Sequence, residues 1–193
     1  MRKNIILCGV GGQGTVLASR LISAAAMARD IPVLSAETIG MAQRGGSVFS
    51  HLRMGEGVYS PMIARGEADL LLGFEPGEAV RMLPFLRPGG QVIVSSRPVT
   101  PVMAALSGEE YRAEPMLEYL KAQVPSLQVV DAERALQEVG SPRVLNLILL
   151  GAAVQAGALG LEAEDLQDAI RRLIPEKFHE LNLRALRWAA EKE

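Results

Sequence analysis

Cysteine occurs once in the 193 residues, at Cys8. No internal disulfide is possible, and this chain alone cannot build a cysteine-ligated zinc or iron–sulfur site. A chain without disulfides fits a reducing compartment, so a cytoplasmic location is expected. Histidine occurs twice, at His51 and His179. Two such distant residues make no metal site and supply no ready base for a nucleophile. Aromatics make up 4% of the residues, so the core must be aliphatic. An excess of one charge is also lacking. Lys and Arg number 20 against 22 Asp and Glu, a net −2, which argues against the clustered basic surface of a general nucleic-acid binder. No apolar run reaches the roughly 20 residues of a membrane span; the most apolar later stretch, residues 144–154, is about half that length. Met1-Arg2-Lys3 followed by Asn4 to Cys8 faintly resembles a secretion signal, but the apolar run is too short and breaks into glycines.

What is present is ample material for a core, with 49% hydrophobic and 22% charged residues. One compact domain over residues 1–193 is expected, with no internal repeat and no linker. The chain is organised around Asn4-Ile5-Ile6-Leu7-Cys8-Gly9-Val10-Gly11-Gly12-Gln13-Gly14-Thr15. It reads as a strand, a glycine-rich turn and a helix start, with Gly9, Gly11 and Gly14 in G-x-G-x-x-G spacing. Glycine permits positive φ and close approach. The helix start points unpaired N–H groups and a partial positive charge at the turn. An anion, usually a phosphate, is the ligand such a turn favours.

The rest of the chain alternates strands and helices. The apolar pattern predicts a helix over 12–29, a strand over 31–34, a half-wet strand over 48–54 and a short hairpin partner at Val58-Tyr59-Ser60 after Gly55-Glu56-Gly57. It predicts a buried strand over 68–74 and a helix opened by Glu75-Pro76 and running to Leu83. A turn is expected at Pro88-Gly89-Gly90, then a strand over 91–95, irregular chain over 98–107, a helix over 110–123 and a strand over 127–130, with Asp131 capping the next helix. From Ser141 the chain reads as all-helical. Together these predict a three-layer α/β/α Rossmann-like sandwich with a mixed, mostly parallel sheet and a helical C-terminal region over about 141–193.

Two groups of residues are candidates for function. Gly9, Gly11, Gly12, Gln13, Gly14 and Thr15 form the cofactor-binding candidate at the first turn. Glu37, Gln43, Arg44, Gly45, Gly46 and Ser47 form a substrate- or partner-facing loop just beyond a strand's carboxyl end, where open α/β sheets bind ligands. Glu37 also lies where a dinucleotide fold places the acid that binds a ribose hydroxyl. Cys8 reads as a buried structural thiol, and both histidines as structural or surface groups. Nothing supplies a nucleophile, base and orienting partner. The chain looks like a binder or accessory subunit.

Four stretches carry a resemblance over nearly the whole chain: residues 9–15, Gly40-Met41-Ala42-Gln43-Arg44-Gly45-Gly46-Ser47-Val48, Tyr59-Ser60-Pro61-Met62-Ile63, and Glu67-Ala68-Asp69-Leu70-Leu71-Leu72-Gly73-Phe74-Glu75-Pro76. Leu145-Asn146-Leu147-Ile148-Leu149-Leu150-Gly151-Ala152 and Glu180-Leu181-Asn182-Leu183-Arg184-Ala185 add to it. The chain resembles the γ-type subunits of 2-oxoacid:ferredoxin oxidoreductases, most of all the β subunit of the indolepyruvate-type enzyme. The resemblance implies oxidative decarboxylation of a 2-oxoacid to an acyl-CoA with reduction of ferredoxin. Thiamine diphosphate with Mg, iron–sulfur clusters and CoA would be held on or with a large partner subunit, and none tightly by this chain. It further implies that residues 11–15 form one wall of a shared site and residues 43–47 the loop facing substrate or partner. Where this loop commonly reads His-Gly-Met-Ala-Gln-Arg-Gly-Gly, this chain has Ile39 before Gly40. An aryl pyruvate such as indolepyruvate is the expected substrate. An exposed partner surface would also allow isolated chains to pair as a homodimer. Two other readings stay open on the residues: a free-standing NAD- or FAD-binding enzyme, and a nucleotide- or CoA-binding module.

Overall fold

The computed structural model describes residues 2–37, 46–108 and 110–190. Six strands, β1 (Lys3–Val10), β2 (Val33–Glu37), β3 (Ser47–Met54), β4 (Ala68–Gly73), β5 (Leu86–Ser95) and β6 (Leu127–Val130), form a sheet in the order β2-β3-β1-β4-β5-β6. The pairs β1/β4, β4/β5 and β5/β6 are parallel, while β3 runs antiparallel to both β1 and β2. The sheet is therefore mixed and mostly parallel, as the broken strand–helix rhythm predicts.

The consecutive apolar residues of β1 and β4 split between two faces, because successive strand side chains point oppositely. Ile5, Leu7, Leu70, Leu72 and Ile93 face one core with α1 (Thr15–Met27), α5 (Ala132–Val139), α6 (Leu145–Gln155), α7 (Ala163–Leu173) and α8 (His179–Arg187). Ile6, Cys8, Leu71, Val92 and Val94 face the other, with α2 (Pro76–Met82) and α4 (Glu114–Gln123). Helix α6 is buried from Leu145 through Ala153, in keeping with its apolar residues on every side. At α7, the backbone N–H of Glu162 donates to Asp165, which also accepts from Arg29 beyond the end of α1.

Several boundaries differ from the sequence expectation, each for a local reason. Helix α1 starts at Thr15, because Gly12 and Gly14 take φ of +99° and +82°, outside the helical region. Helix α4 starts at Glu114, which puts Pro115 in the first turn, where its missing N–H costs no helical bond. The Pro88-Gly89-Gly90 turn is absorbed within β5: Ala68 and Leu70 of β4 stand opposite Leu86 and Gln91, so the extra residues bulge out. Part of 98–107 is helical, as α3 (Val102–Ser107).

Residues 58–60 form no hairpin strand. The chain there is tied to β3 through the carbonyls of Ser60 and Met62 instead. The guanidinium of buried Arg53 donates to the backbone oxygens of Ser60 and Met62, and to Asn4 Oδ1 at 3.0 Å. Two residues along β3, His51 Nδ1 accepts the N–H of Ile63 at 3.1 Å, its ring set edge-on to Phe49 and Phe85.

Burial lowers the His51 pKa from its ordinary value of 6.5, so the folded state binds fewer protons than the unfolded one. The contribution is complete above pH 6.5 and is lost as pH falls below it, toward the lowered folded value. Unfolding free energy from urea titration should therefore fall more steeply between pH 7.5 and 5 than in His51→Asn, whose Oδ1 can accept the same bond without titrating. Equal slopes in the two proteins would remove His51 as the cause.

Candidate functional site

Helix α1 leaves the carboxyl end of β1 toward one face of the sheet, and α2 leaves the neighbouring β4 toward the other. This divergence opens a crevice between adjacent parallel strands, the usual ligand position in α/β sheets. The ladder shows how it is held open. Phe74 N–H donates to Cys8 O at 2.7 Å. The next rung of a parallel ladder would join Val10 N–H to Phe74 O. Instead the side-chain amide of Gln13 stands between them: its Oε1 accepts from Val10 N–H at 2.7 Å and its Nε2 donates to Phe74 O at 3.0 Å. Gln13 is thus a polar wedge between the two strand ends.

The glycines serve this wedge and its surroundings. A Cβ on Gly9 would lie 2.6 Å from Gln13 Oε1 and 2.8 Å from Phe74 Cβ, so only glycine leaves room for the amide. Gly14, the N-cap of α1, is left-handed and faces Asn146 of α6, whose Nδ2 a Cβ would meet at 2.7 Å. The Oδ1 of Asn146 is buried and has no hydrogen-bond partner among the described residues. Gly12 faces open space. Gly11 N–H donates to the backbone oxygen of Gly46 at 2.9 Å, which joins the first turn to the second candidate loop. Thr15 is buried as the first residue of α1.

Ser47 stands opposite Val10, and its hydroxyl donates to Glu78 Oε2 at 2.5 Å. Glu78 also pairs with Arg81 at 3.3 Å. Glu75 caps α2, accepting Glu78 N–H at 2.9 Å and the Tyr111 hydroxyl at 2.9 Å. Burial raises the Glu75 pKa even though these bonds favour the carboxylate. Burial and the bond to Glu75 raise Tyr111. Burial, then the charges of Glu78 and Glu75, push Cys8 well up, so its thiol stays protonated and unreactive. One lip of the crevice therefore carries the uncapped first turn of α1, the other a carboxylate pair.

Gly46 and Ser47 are brought to the glycine turn. Glu37 is not: it stands opposite Ser50, which stands opposite Leu7, so the antiparallel β3 lies between Glu37 and β1. The strand β3 occupies the place beside β1 where a dinucleotide fold puts the strand that ends in its ribose-binding acid, so Glu37 stands one strand spacing, about 5 Å, beyond that position. This geometry, with the wedge filling the turn, counts against the NAD or FAD reading. Gln43, Arg44 and Gly45 lie outside the described residues. Glu75, Glu78 and Asn146 were not among the sequence candidates. The Glu75-Pro76-Gly77-Glu78 capping pattern could have flagged the first two; no local signal marks Asn146. Among the described residues no three metal-ligating side chains cluster.

With this geometry in view, the profile of the pyruvate ferredoxin/flavodoxin oxidoreductase family matches residues 4–192. The chain belongs to this family. It is 39% identical over 188 residues to indolepyruvate oxidoreductase subunit IorB of Methanothermobacter thermautotrophicus, covering 97% of this chain and 95% of the relative. It is 30% identical to the pyruvate/ketoisovalerate oxidoreductases common subunit gamma of Pyrococcus furiosus, covering 95% and 93%. The crystal structure of the gamma subunit of a keto/oxoacid ferredoxin oxidoreductase from Geobacter sulfurreducens superposes with a TM-score of 0.71 at 25% identity, covering 100% of this chain and 96% of that one. The resemblance carried by the Gly-Met-Ala-Gln-Arg-Gly-Gly-Ser run and its companions is borne out, and so is the fold class.

Proposed function

We propose that this member of the oxidoreductase family is the small, γ-type subunit of a thiamine-diphosphate-dependent 2-oxoacid:ferredoxin oxidoreductase acting on an aryl pyruvate such as indolepyruvate, and that it is inactive alone. The observation that carries the reading is the bond from Gly11 N–H to Gly46 O. It unites the two candidate loops at the wedged crevice, where the Ser47 hydroxyl meets the Glu78 carboxylate and no histidine or lysine base stands among the described residues. A site with a binding wall and no catalytic set fits a chain that completes a centre held by a partner. The names of the relatives as subunits support the same reading.

Iron–sulfur clusters do not fit the described side chains, since the lone cysteine is buried under α2. They belong with the large subunit, as do thiamine diphosphate and Mg, and ferredoxin meets the complex there. The N–H groups of the first turn of α1, beside Gly12, Gly14 and Thr15 and without a side-chain cap among the described residues, fit an anionic oxygen of CoA or of the thiamine cofactor. Glu37 and residues 43–47 would face the substrate or the partner. When bound, the cofactors supply carbanion and electron-transfer chemistry; this chain orients and excludes water.

Co-expression with the large subunit should give 2-oxoacid- and CoA-dependent dye reduction that neither chain shows alone, fastest with aryl pyruvates. A reconstituted pair inactive on every 2-oxoacid would overturn the reading. A pair equally fast on pyruvate would overturn only the substrate.

A further inference from the structure

Glu75 is buried at the crevice lip, 1% exposed. A carboxylate in such a place is costly unless donors surround it. Glu78 N–H, the Tyr111 hydroxyl at 2.9 Å and the backbone of Val99 supply them. Tyr111 is the side-chain donor among these, and it comes from 36 residues further along the chain. Gly77 makes room for it, since a Cβ there would overlap the Tyr111 hydroxyl. Glycine is a poor residue for a helix, so its place in the first turn of α2 serves the tyrosine.

The bonds continue from Glu75 toward the glycine turn. Its Oε2 accepts Glu78 N–H and so fixes the root of the Glu78 side chain. Glu78, itself 7% exposed, accepts the hydroxyl of exposed Ser47. The residue before Ser47 is Gly46, whose backbone oxygen takes Gly11 N–H. Helix α2 gives this line a firm seat. It lies so close to β4 that a Cβ on Gly73 would come within 2.8 Å of Ala79 Cβ. The second wall of the crevice is thus anchored, through two buried carboxylates, to a tyrosine just ahead of α4.

We propose that Tyr111 is a positioning residue for the crevice: through Glu75 and Glu78 it holds Ser47, and with it Gly46, in the binding-ready place. The inference rests on the reading of the crevice given above and names what keeps its second wall in order. Without the hydroxyl, the buried Glu75 carboxylate has one donor fewer and turns toward water. Glu78 then loses its cap bond, and Ser47 its fixed partner. The wall still reaches the binding position, but for a smaller fraction of the time. Apparent affinity falls by that fraction, while saturating ligand restores the ordered state. Tyr111→Phe therefore raises KM and spares kcat. A fold defect does the reverse: it removes active molecules, lowering kcat with KM unchanged.

The first measurement is amide hydrogen exchange of the isolated chain by NMR. Tyr111→Phe should speed exchange at Gly11 about 10-fold more than at Ile170, in the core of α7 on the far face. Tyr119→Phe, at a half-exposed tyrosine of α4, should leave Gly11 as in the wild type. Ser47→Ala should speed Gly11 by itself, and adding Tyr111→Phe to it should change little, because the line is already cut. In the complex with the large subunit, Tyr111→Phe should raise KM for the 2-oxoacid or for CoA about 10-fold, with kcat within about twofold of wild type. Unchanged exchange at Gly11, or equal acceleration at Ile170, overturns the positioning role. So do additive effects of the two variants, and so does a lower kcat with both KM values unchanged. A wild-type pair with no activity removes the subunit reading instead, and the exchange data then decide the tie from Tyr111 to Gly11 separately.

Discussion

Gly151→Ala should destabilise the fold by about 2–4 kcal/mol and lower the melting temperature by roughly 5–15 °C. On an exposed helix the same change would stabilise by up to about 1 kcal/mol, because alanine is the better helix former. Here the sign reverses. Gly151 lies on α6 where the backbone of α8 crosses, and a Cβ would overlap the carbonyl oxygen of Leu186 and lie 2.9 Å from its carbonyl carbon. Neither atom is the end of a flexible side chain, so relief requires α8 to move bodily. That helix carries Ala185 and Leu186 into the main core, so its displacement exposes apolar surface along α6. Gly12→Ala is the control. There the added methyl meets nothing within 4 Å and only the φ of +99° is strained, a cost of order 1–3 kcal/mol. Urea and thermal unfolding of the two variants compare a steric defect with a dihedral one. A Gly151→Ala protein as stable as wild type would mean that α8 is not seated where the structure places it.

Much of this architecture is legible in the sequence because its signals are local. Consecutive apolar residues in 5–8 and 70–72 announce strands buried on both faces, the nearly all-round apolar 144–154 announces a central helix, and Asp131 announces a cap. The failures have a common cause, which is side-chain contact that local propensity does not encode. No propensity of residues 58–60 reveals that Arg53 will claim the carbonyls of Ser60 and Met62. Nothing near Glu37 reveals that β3 will insert antiparallel between β2 and β1 and carry that acid away from the turn. The glycine motif is the clearest case. Its spacing predicts a cradle for an anion, yet Gly9 makes room for the Gln13 amide and Gly14 for Asn146 of α6, 132 residues further along the chain. The same spacing thus serves close packing as well as ligand approach, and periodicity cannot separate the two uses. The family resemblance succeeded where local physics did not, because an eight-residue run such as Gly-Met-Ala-Gln-Arg-Gly-Gly-Ser carries information that no propensity does.

Gln13→Leu should lose about 2–4 kcal/mol of stability and, in the assembled enzyme, reduce turnover by an order of magnitude or more. Leucine fills the volume of the wedge but offers neither acceptor nor donor. Val10 N–H and Phe74 O, held apart by the side chain, would both be left unpaired, at about 1–3 kcal/mol each. Gln13→Ala should behave differently. With the wedge gone, Val10 N–H can close onto Phe74 O and complete the missing rung, so the stability loss should be smaller than that of the leucine variant. The functional loss should persist in both, because closing the strand ends narrows the crevice on which Gly11, Gly46 and Ser47 converge. Unfolding free energies of the two variants, with 2-oxoacid-dependent dye reduction of each complex, form the measurement. Stability that falls more in Gln13→Ala than in Gln13→Leu would show that the strands do not rejoin and that the amide acts as a tie rather than a wedge. Full turnover in both variants would mean that the opening between β1 and β4 has no part in the reaction, and the functional site would have to be sought away from the glycine turn.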